Sequence, residues 1–232
     1  MGSLFTTIIY QPILNLTVFL YGTVGFGDLG IAIIVMTILV RAALLPLSLK
    51  MARSQRAMAE LAPEVERLKA AHKGNAAAQS EAVVKLYKEK GVSVFGGCLP
   101  LLLQLPILIG VYRVFLNIFK PETVGLLYGF VPHPEVINHL TLGLLDISRS
   151  NPVLAILAGI AQFFQARIAM ANQPKSPQTA ALNQQMTYLL PVMIIVFSWN
   201  LPAGLAVYWI ATSVWSIGEQ LYLRRRSGIL AP

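Results

Sequence analysis

Residues 29–49 read LGIAIIVMTILVRAALLPLSL, an apolar run broken by one charge, Arg41. A helix rises ~1.5 Å per residue, so about 20 such residues cross the ~30 Å hydrocarbon layer of a bilayer. Four further apolar runs follow, at residues 93–119, 152–170, 186–199 and 203–222. Asn200-Leu201-Pro202 separates the last two, and Pro disfavours helix in the residue before it, so they read as a helical hairpin. Composition agrees: 56% of the 232 residues are hydrophobic and 12% charged, too little polar surface to cover a soluble core. The expected fold class is all-α, a polytopic membrane protein with five transmembrane helices.

Orientation follows from the basic residues. The connection 50–92 carries nine of them, Lys50, Arg53, Arg56, Arg67, Lys69, Lys73, Lys85, Lys88 and Lys90. The connection 120–151 carries Lys120 and Arg149, and the tail 223–232 opens with Arg224, Arg225 and Arg226. Basic residues stay on the cytoplasmic side. The N-terminus is therefore expected outside, the C-terminus in the cytoplasm, and the protein in the cell membrane. The same rule accounts for the net charge of +8, so nucleic acid is not an expected partner. The first 28 residues lack Lys and Arg, so the positively charged start of a cleavable signal peptide is missing.

Two segments outside the spans have their own pattern. Residues 1–28 mix apolar positions with Thr6, Thr7, Gln11, Asn15 and Thr17, which suits an amphipathic helix at the outer interface better than a sixth span. In the connection 50–92, Leu61, Val65, Leu68 and His72 recur at helical spacing, Gly74-Asn75 marks a turn, and Val83, Val84, Leu86 and Tyr87 form a second cluster. That predicts a cytoplasmic helical hairpin. As a docking arm it offers Arg53, Arg56, Lys85 and Lys88 to a partner or to anionic lipid; the plainer reading is a tether.

Arg41 is the most informative residue. It lies 12 positions after Leu29, about 18 Å into the helix. A charge at the centre of a span costs on the order of 3 kcal/mol, so Arg41 should face water or polar partners, or else snorkel toward the inner interface. The only carboxylate in the five spans is Glu219, near the end of the last one and not expected to reach Arg41. Neutral acceptors remain: Gln104, then Gln162 and Gln165 three apart on one helical face, with Thr212 and Ser213 in the last span. Together they would line a wet groove; singly, each glutamine would only join helices.

Catalytic constellations are absent. His133 and His139 flank Glu135 without the i, i+4 spacing of a zinc helix, and no Gly-rich phosphate loop with Lys occurs. An enzyme, a metal and a cofactor are not expected. The lone Cys98 excludes an internal disulfide.

The stretch Gly97-Cys98-Leu99-Pro100-Leu101-Leu102-Leu103-Gln104-Leu105-Pro106-Ile107, followed by Tyr112, resembles the second core span of the YidC family of membrane protein insertases. The mitochondrial oxidase-assembly and chloroplast Albino-type proteins belong to that family. Ile38-Leu39-Val40-Arg41 through Leu45-Pro46-Leu47, Leu86-Tyr87-Lys88, Leu201-Pro202-Ala203-Gly204-Leu205 and Tyr208-Trp209 agree with it, in order, over about residues 8–222. The resemblance implies five helices around a hydrophilic groove, open to the cytoplasm and lipid and closed outside. There an arginine at the place of Arg41 receives hydrophilic parts of an incoming polypeptide. Implied partners are nascent membrane proteins, membrane lipids, the Sec translocon and the ribosome. The family usually has Asn-Pro where Ser93-Val94 stand here. The extra N-terminal span and large periplasmic domain of typical Gram-negative members, a lipoprotein-type cysteine and a long ribosome-binding tail are not expected from these residues. The competing function is a small transporter or channel with Arg41 as an anion site; the internal repeat common in transporters is missing.

Overall fold

The computed structural model describes residues 3–92, 99–170 and 184–226. Its N-terminal helix begins with Ser3–Phe5 and a π-helical turn, Thr6–Tyr10, and continues as α1 (Gln11–Gly22). Then come α2 (Leu29–Glu60), α3 (Ala62–Ala71), α4 (Ala76–Glu89), α5 (Leu99–Asn117), α6 (Pro152–Met170), α7 (Leu190–Trp199, after a π-helical turn Gln185–Leu189) and α8 (Ala203–Arg226). Between α5 and α6 runs a loop with a 3-10 turn, Pro121–Leu126, and two short antiparallel strands, β1 (Leu140–Thr141) and β2 (Leu145–Asp146). Among the described residues, α2 and α6 are long and apolar enough to cross a membrane, and Leu102–Asn117 and Gln185–Trp199 are shorter apolar helices.

The packed core is concentrated at the end of the bundle that carries this loop. Leu14, Val18, Ile33, Met36, Val111, Val114, Phe115 and Leu205 are buried there, and Val131 and Ile147 of the loop close over them. A smaller cluster, Ala158, Ile194 and Ala206, joins α6, α7 and α8. A Cβ at Gly159 would run into Ile195, so glycine sets the close approach of α6 and α7. Along the outside, Leu102, Leu105, Ile109, Ile156, Ile160, Phe164, Val192 and Val196 are exposed. So broad an apolar surface requires lipid rather than water around it.

Hydrogen bonds pin the loop to the helices. The buried Asn15 side chain donates to Leu126 O at 3.0 Å and accepts from Tyr128 N at 2.6 Å, and Gln11 also donates to Leu126 O. The Asp28 carboxylate caps α2 by accepting from Ile31 N at 3.0 Å, while its other oxygen accepts from Leu142 N at 2.6 Å. At the start of α8 the free N–H groups of Ala203 and Gly204 donate to Arg149 O and Ile147 O. The Ser148 hydroxyl, 2.6 Å from the Asp146 carboxylate, holds that carboxyl below its usual range.

Several boundaries differ from the sequence reading. Of the polar residues of the N-terminal segment, Asn15 and Thr17 are buried: Asn15 pairs with loop backbone groups, and the Thr17 hydroxyl donates to Ile13 O of its own helix. The first apolar run ends near residue 49, yet α2 continues to Glu60. Its last turns, rich in Ala, Met, Arg and Gln, are good helix formers and contain no Gly or Pro. α8 likewise runs through the basic residues to Arg226 instead of ending at 222. Counting only Arg41 inside the apolar runs also passed over Arg113 and Arg167, which lie over the rings of Phe5 and Phe163. Residues 93–98, with Ser93-Val94 and Gly97-Cys98, and most of the 171–185 connection lie outside the described residues.

α3 and α4 pair antiparallel. Gln79 at the start of α4 donates to Lys69 O and His72 O, and Lys90 lies 4.0 Å from Glu64 at the opposite end. Asn75 caps α4 by accepting from Ala78 N, and Gly74 takes the positive φ of 94° that the turn requires. Only Val65 and Leu86 are buried in this pair. Amide hydrogen exchange should therefore be fast in α3 and α4 and slow over residues 29–40; equal protection would contradict so thin a core.

Gly30 provides a sharper test. A Cβ there would lie 2.5 Å from Thr141 Cγ2 and Oγ1, and Gly30 N donates to that same hydroxyl at 3.0 Å. Gly30→Ala should destabilise the protein by about 1–3 kcal/mol, with Thr141→Ala restoring part of the loss in the double variant. Thermal unfolding in detergent measures both.

Candidate functional site

Beyond the apolar core, toward the α3–α4 end, the facing surfaces of α2, α5, α6 and α8 become polar. Arg41 is half-buried there. Its Nη2 donates to Gln104 Oε1 at 2.8 Å, and Gln104 Nε2 donates to the buried Tyr208 hydroxyl at 2.8 Å. The amide thus bridges a cation and a phenol, which fixes both. A guanidinium has five N–H donors, and no other protein partner takes one from Arg41 among the described residues.

α2 and α8 run parallel along this site, since Arg41 meets the Tyr208 level through Gln104 while Ser48 donates to the Glu219 carboxylate further on. Along α8, Tyr208, Thr212, Trp215 and Glu219 follow i, i+4, i+7, i+11 and share one stripe. Two atoms of that stripe, Thr212 Oγ1 and Trp215 Nε1, are buried without a hydrogen-bond partner, and so is Gln165 Oε1 on α6. Buried polar atoms almost always have partners; three unpartnered ones in this region call for water or a guest molecule.

The expected residues divide into two groups. Arg41 and Gln104 are joined directly. Ser213, turned toward α6, lies 3.4 Å from Gln162, the long end of a hydrogen bond. Thr212 is buried beside the Tyr208 hydroxyl, and Gln165 is buried without a partner for its Oε1. Sequence reasoning left Tyr208, Ser48 and Trp215 out of the site. Tyr208 and Trp215 could have been found by stepping from Thr212 four residues back and three residues on, along one helical face. Ser48 has the same relation to Arg41, seven residues along α2.

The four residues expected to dock partners are exposed. Arg56 pairs with Glu60 at 3.2 Å. Lys85 borders a shallow cleft between α3 and α4 with Glu64, His72 and Glu81. Among the described residues no hydrogen bond or ion pair joins Arg53 and Arg56 to Lys85 and Lys88. Glu135 and His139 line a separate depression under the loop, His139 edge-on to Phe119. The described residues include no group of three or more His, Cys, Asp or Glu placed to hold a metal.

Comparison with known proteins bears on this arrangement. The family model described as 60Kd inner membrane protein matches residues 19–228. The "Membrane protein insertase YidC" of Streptomyces avermitilis is 31% identical, over 89% of this chain and 54% of that one. "Membrane protein insertase MisCA" of Bacillus subtilis is 33% identical, over 84% of this chain and 70% of that one. The YidC of Fusobacterium nucleatum is 30% identical and matched over 98% of its length. The chain thus spans about half the length of the Streptomyces relative and nearly all of the Fusobacterium one. A crystal structure of an active YidC insertase with its first transmembrane domain resolved has the same fold, with a TM-score of 0.64 over 95% of this chain and 47% of that one, at 24% identity. A family match over most of the chain, with relatives of this similarity and this fold, establishes that the protein is a membrane protein of the YidC family.

Proposed function

We propose that this protein is a membrane protein insertase and chaperone, which receives the polar part of a nascent membrane protein in the groove between α2, α5 and α8. One observation carries the reading. Arg41 is half-buried, held by a neutral glutamine, and keeps most of its donors free of protein partners. A cation so placed lowers the cost of drawing a polar or acidic segment partway into the membrane. The substrate's apolar segment then leaves sideways into lipid, driven by partitioning and the membrane potential. An anion channel fits less well, because its site would need to continue through the apolar core at the loop end.

In this reading five helices cross the membrane: the first half of α2, then α5, α6, α7 with its preceding turn, and α8. The loop end lies outside, and α3, α4 and the end of α8 lie in the cytoplasm. The N-terminal helix rests against the outer loop. Exposed Arg53, Arg56, Lys85 and Lys88 make the cytoplasmic side a docking region for anionic lipid, the ribosome or the Sec translocon. The work is binding and partitioning rather than covalent chemistry.

Reconstitution into liposomes with single-span substrates differing only in the charge of the translocated tail tests the proposal. Arg41→Lys should retain much of the activity, since an ammonium also supplies charge and donors. Arg41→Ala should lower protease protection of an acidic tail about tenfold while the protein stays folded, because no carboxylate is left unpaired. Equal protection by wild type and Arg41→Ala across the tail series would overturn the mechanism.

A further inference from the structure

Glu219 is the one carboxylate on the polar stripe of α8, and its partner is unusual. It accepts from the Ser48 hydroxyl, a neutral donor, and forms no ion pair among the described residues. It is half-buried, and the residues three and four further along α8 are Tyr222 and Leu223, which supply no cation. A carboxylate has about four acceptor positions, of which the described residues fill one. A partly desolvated carboxylate in this state is a seat for a cation.

Its position indicates which cation. Ser48 lies seven residues beyond Arg41 on the same face of α2, so the anion stands about 10 Å further along the groove than the guanidinium. Unpartnered Thr212 Oγ1 and Trp215 Nε1 lie on the α8 stripe between the Tyr208 and Glu219 levels. The groove therefore carries a positive charge at Arg41 and a negative one at Glu219, nearer the α3–α4 end. Membrane proteins bear the matching pattern, because Lys and Arg gather on the cytoplasmic flank of their spans.

We propose that Glu219 is a specificity-determining residue that holds the basic cytoplasmic flank of an incoming span while Arg41 engages its polar translocated side. The inference rests on the insertase reading and on its orientation. Ser48 keeps the seat in place: its hydroxyl orients the carboxylate between substrates without neutralising it. A cationic flank adds a charge-assisted contact that a neutral flank lacks, so the residue selects by charge.

The test uses the full chain in proteoliposomes and two single-span substrates with identical apolar segments and tails. One has three lysines at its cytoplasmic flank and the other three glutamines. Glu219→Gln should lower insertion of the lysine substrate about fivefold and leave the glutamine substrate unchanged. Glu219→Lys should lower the lysine substrate further and favour a third substrate with three glutamates. Ser48→Ala should retain most of the selectivity. Equal loss on both flanks, or Ser48→Ala reproducing the Glu219→Gln profile, would reduce the pair to a structural latch and overturn the proposal. Failure of the wild type to insert any of the three would instead defeat the insertase reading, and this inference with it; intact selectivity in Glu219→Gln defeats the inference alone.

Discussion

The arrangement of the molecule depends on where its apolar core stops. At the loop end, α1, α2, α5 and the first turns of α8 interlock around Leu14, Ile33, Val111 and Leu205, and the loop residues Val131 and Ile147 close over them. Asn15 and Asp28 secure that closure by accepting from or donating to loop backbone groups. Packing of this kind tolerates neither water nor charge. Further along, Arg41 meets Gln104 and Tyr208, Ser213 turns to Gln162, and the interior becomes polar. The bundle is thus apolar at one end and polar at the other.

The polar half has a chemical balance of its own. A lone arginine inside a membrane is costly, and a carboxylate partner would lower that cost while cancelling the charge. Gln104 satisfies one donor and leaves the charge in place, and Tyr208 keeps the glutamine from rotating away. The unpartnered Gln165, Thr212 and Trp215 atoms fit a lining hydrated between visits of a guest. Stability is lost locally in favour of a site that stays available.

Much of this was legible in the sequence, for identifiable reasons. Hydropathy located the apolar runs because a long lipid-facing helix leaves a signal that does not depend on its partners, and residues 152–170 coincide with α6. Arg41 was conspicuous because charge is rare in such a run, and Gln104 because it was the acceptor available in its span. What could not be read is what depends on contacts between distant segments. The inward turn of Asn15 is set by Leu126 and Tyr128, more than a hundred positions away. The helices α2 and α8 run past the apolar runs at 29–49 and 203–222, because hydropathy reports where the lipid stops, whereas a helix stops where its formers run out. Tyr208 was in view as part of a motif, but its hydroxyl acquires meaning only when α5 brings Gln104 against it.

The length of α2 has a mechanical consequence. Its 32 residues form one helix of about 48 Å, clamped at Asp28 and Gly30 and joined at its far end directly to α3. Arg41 and Ser48 lie partway along this arm, on either side of Pro46, where a missing backbone hydrogen bond makes it more compliant. Pro46 therefore joins the clamped half of α2, which bears Arg41, to the half that bears Ser48 and leads into the α3–α4 pair. A force on that pair would bend α2 at this turn and move Ser48 relative to Arg41.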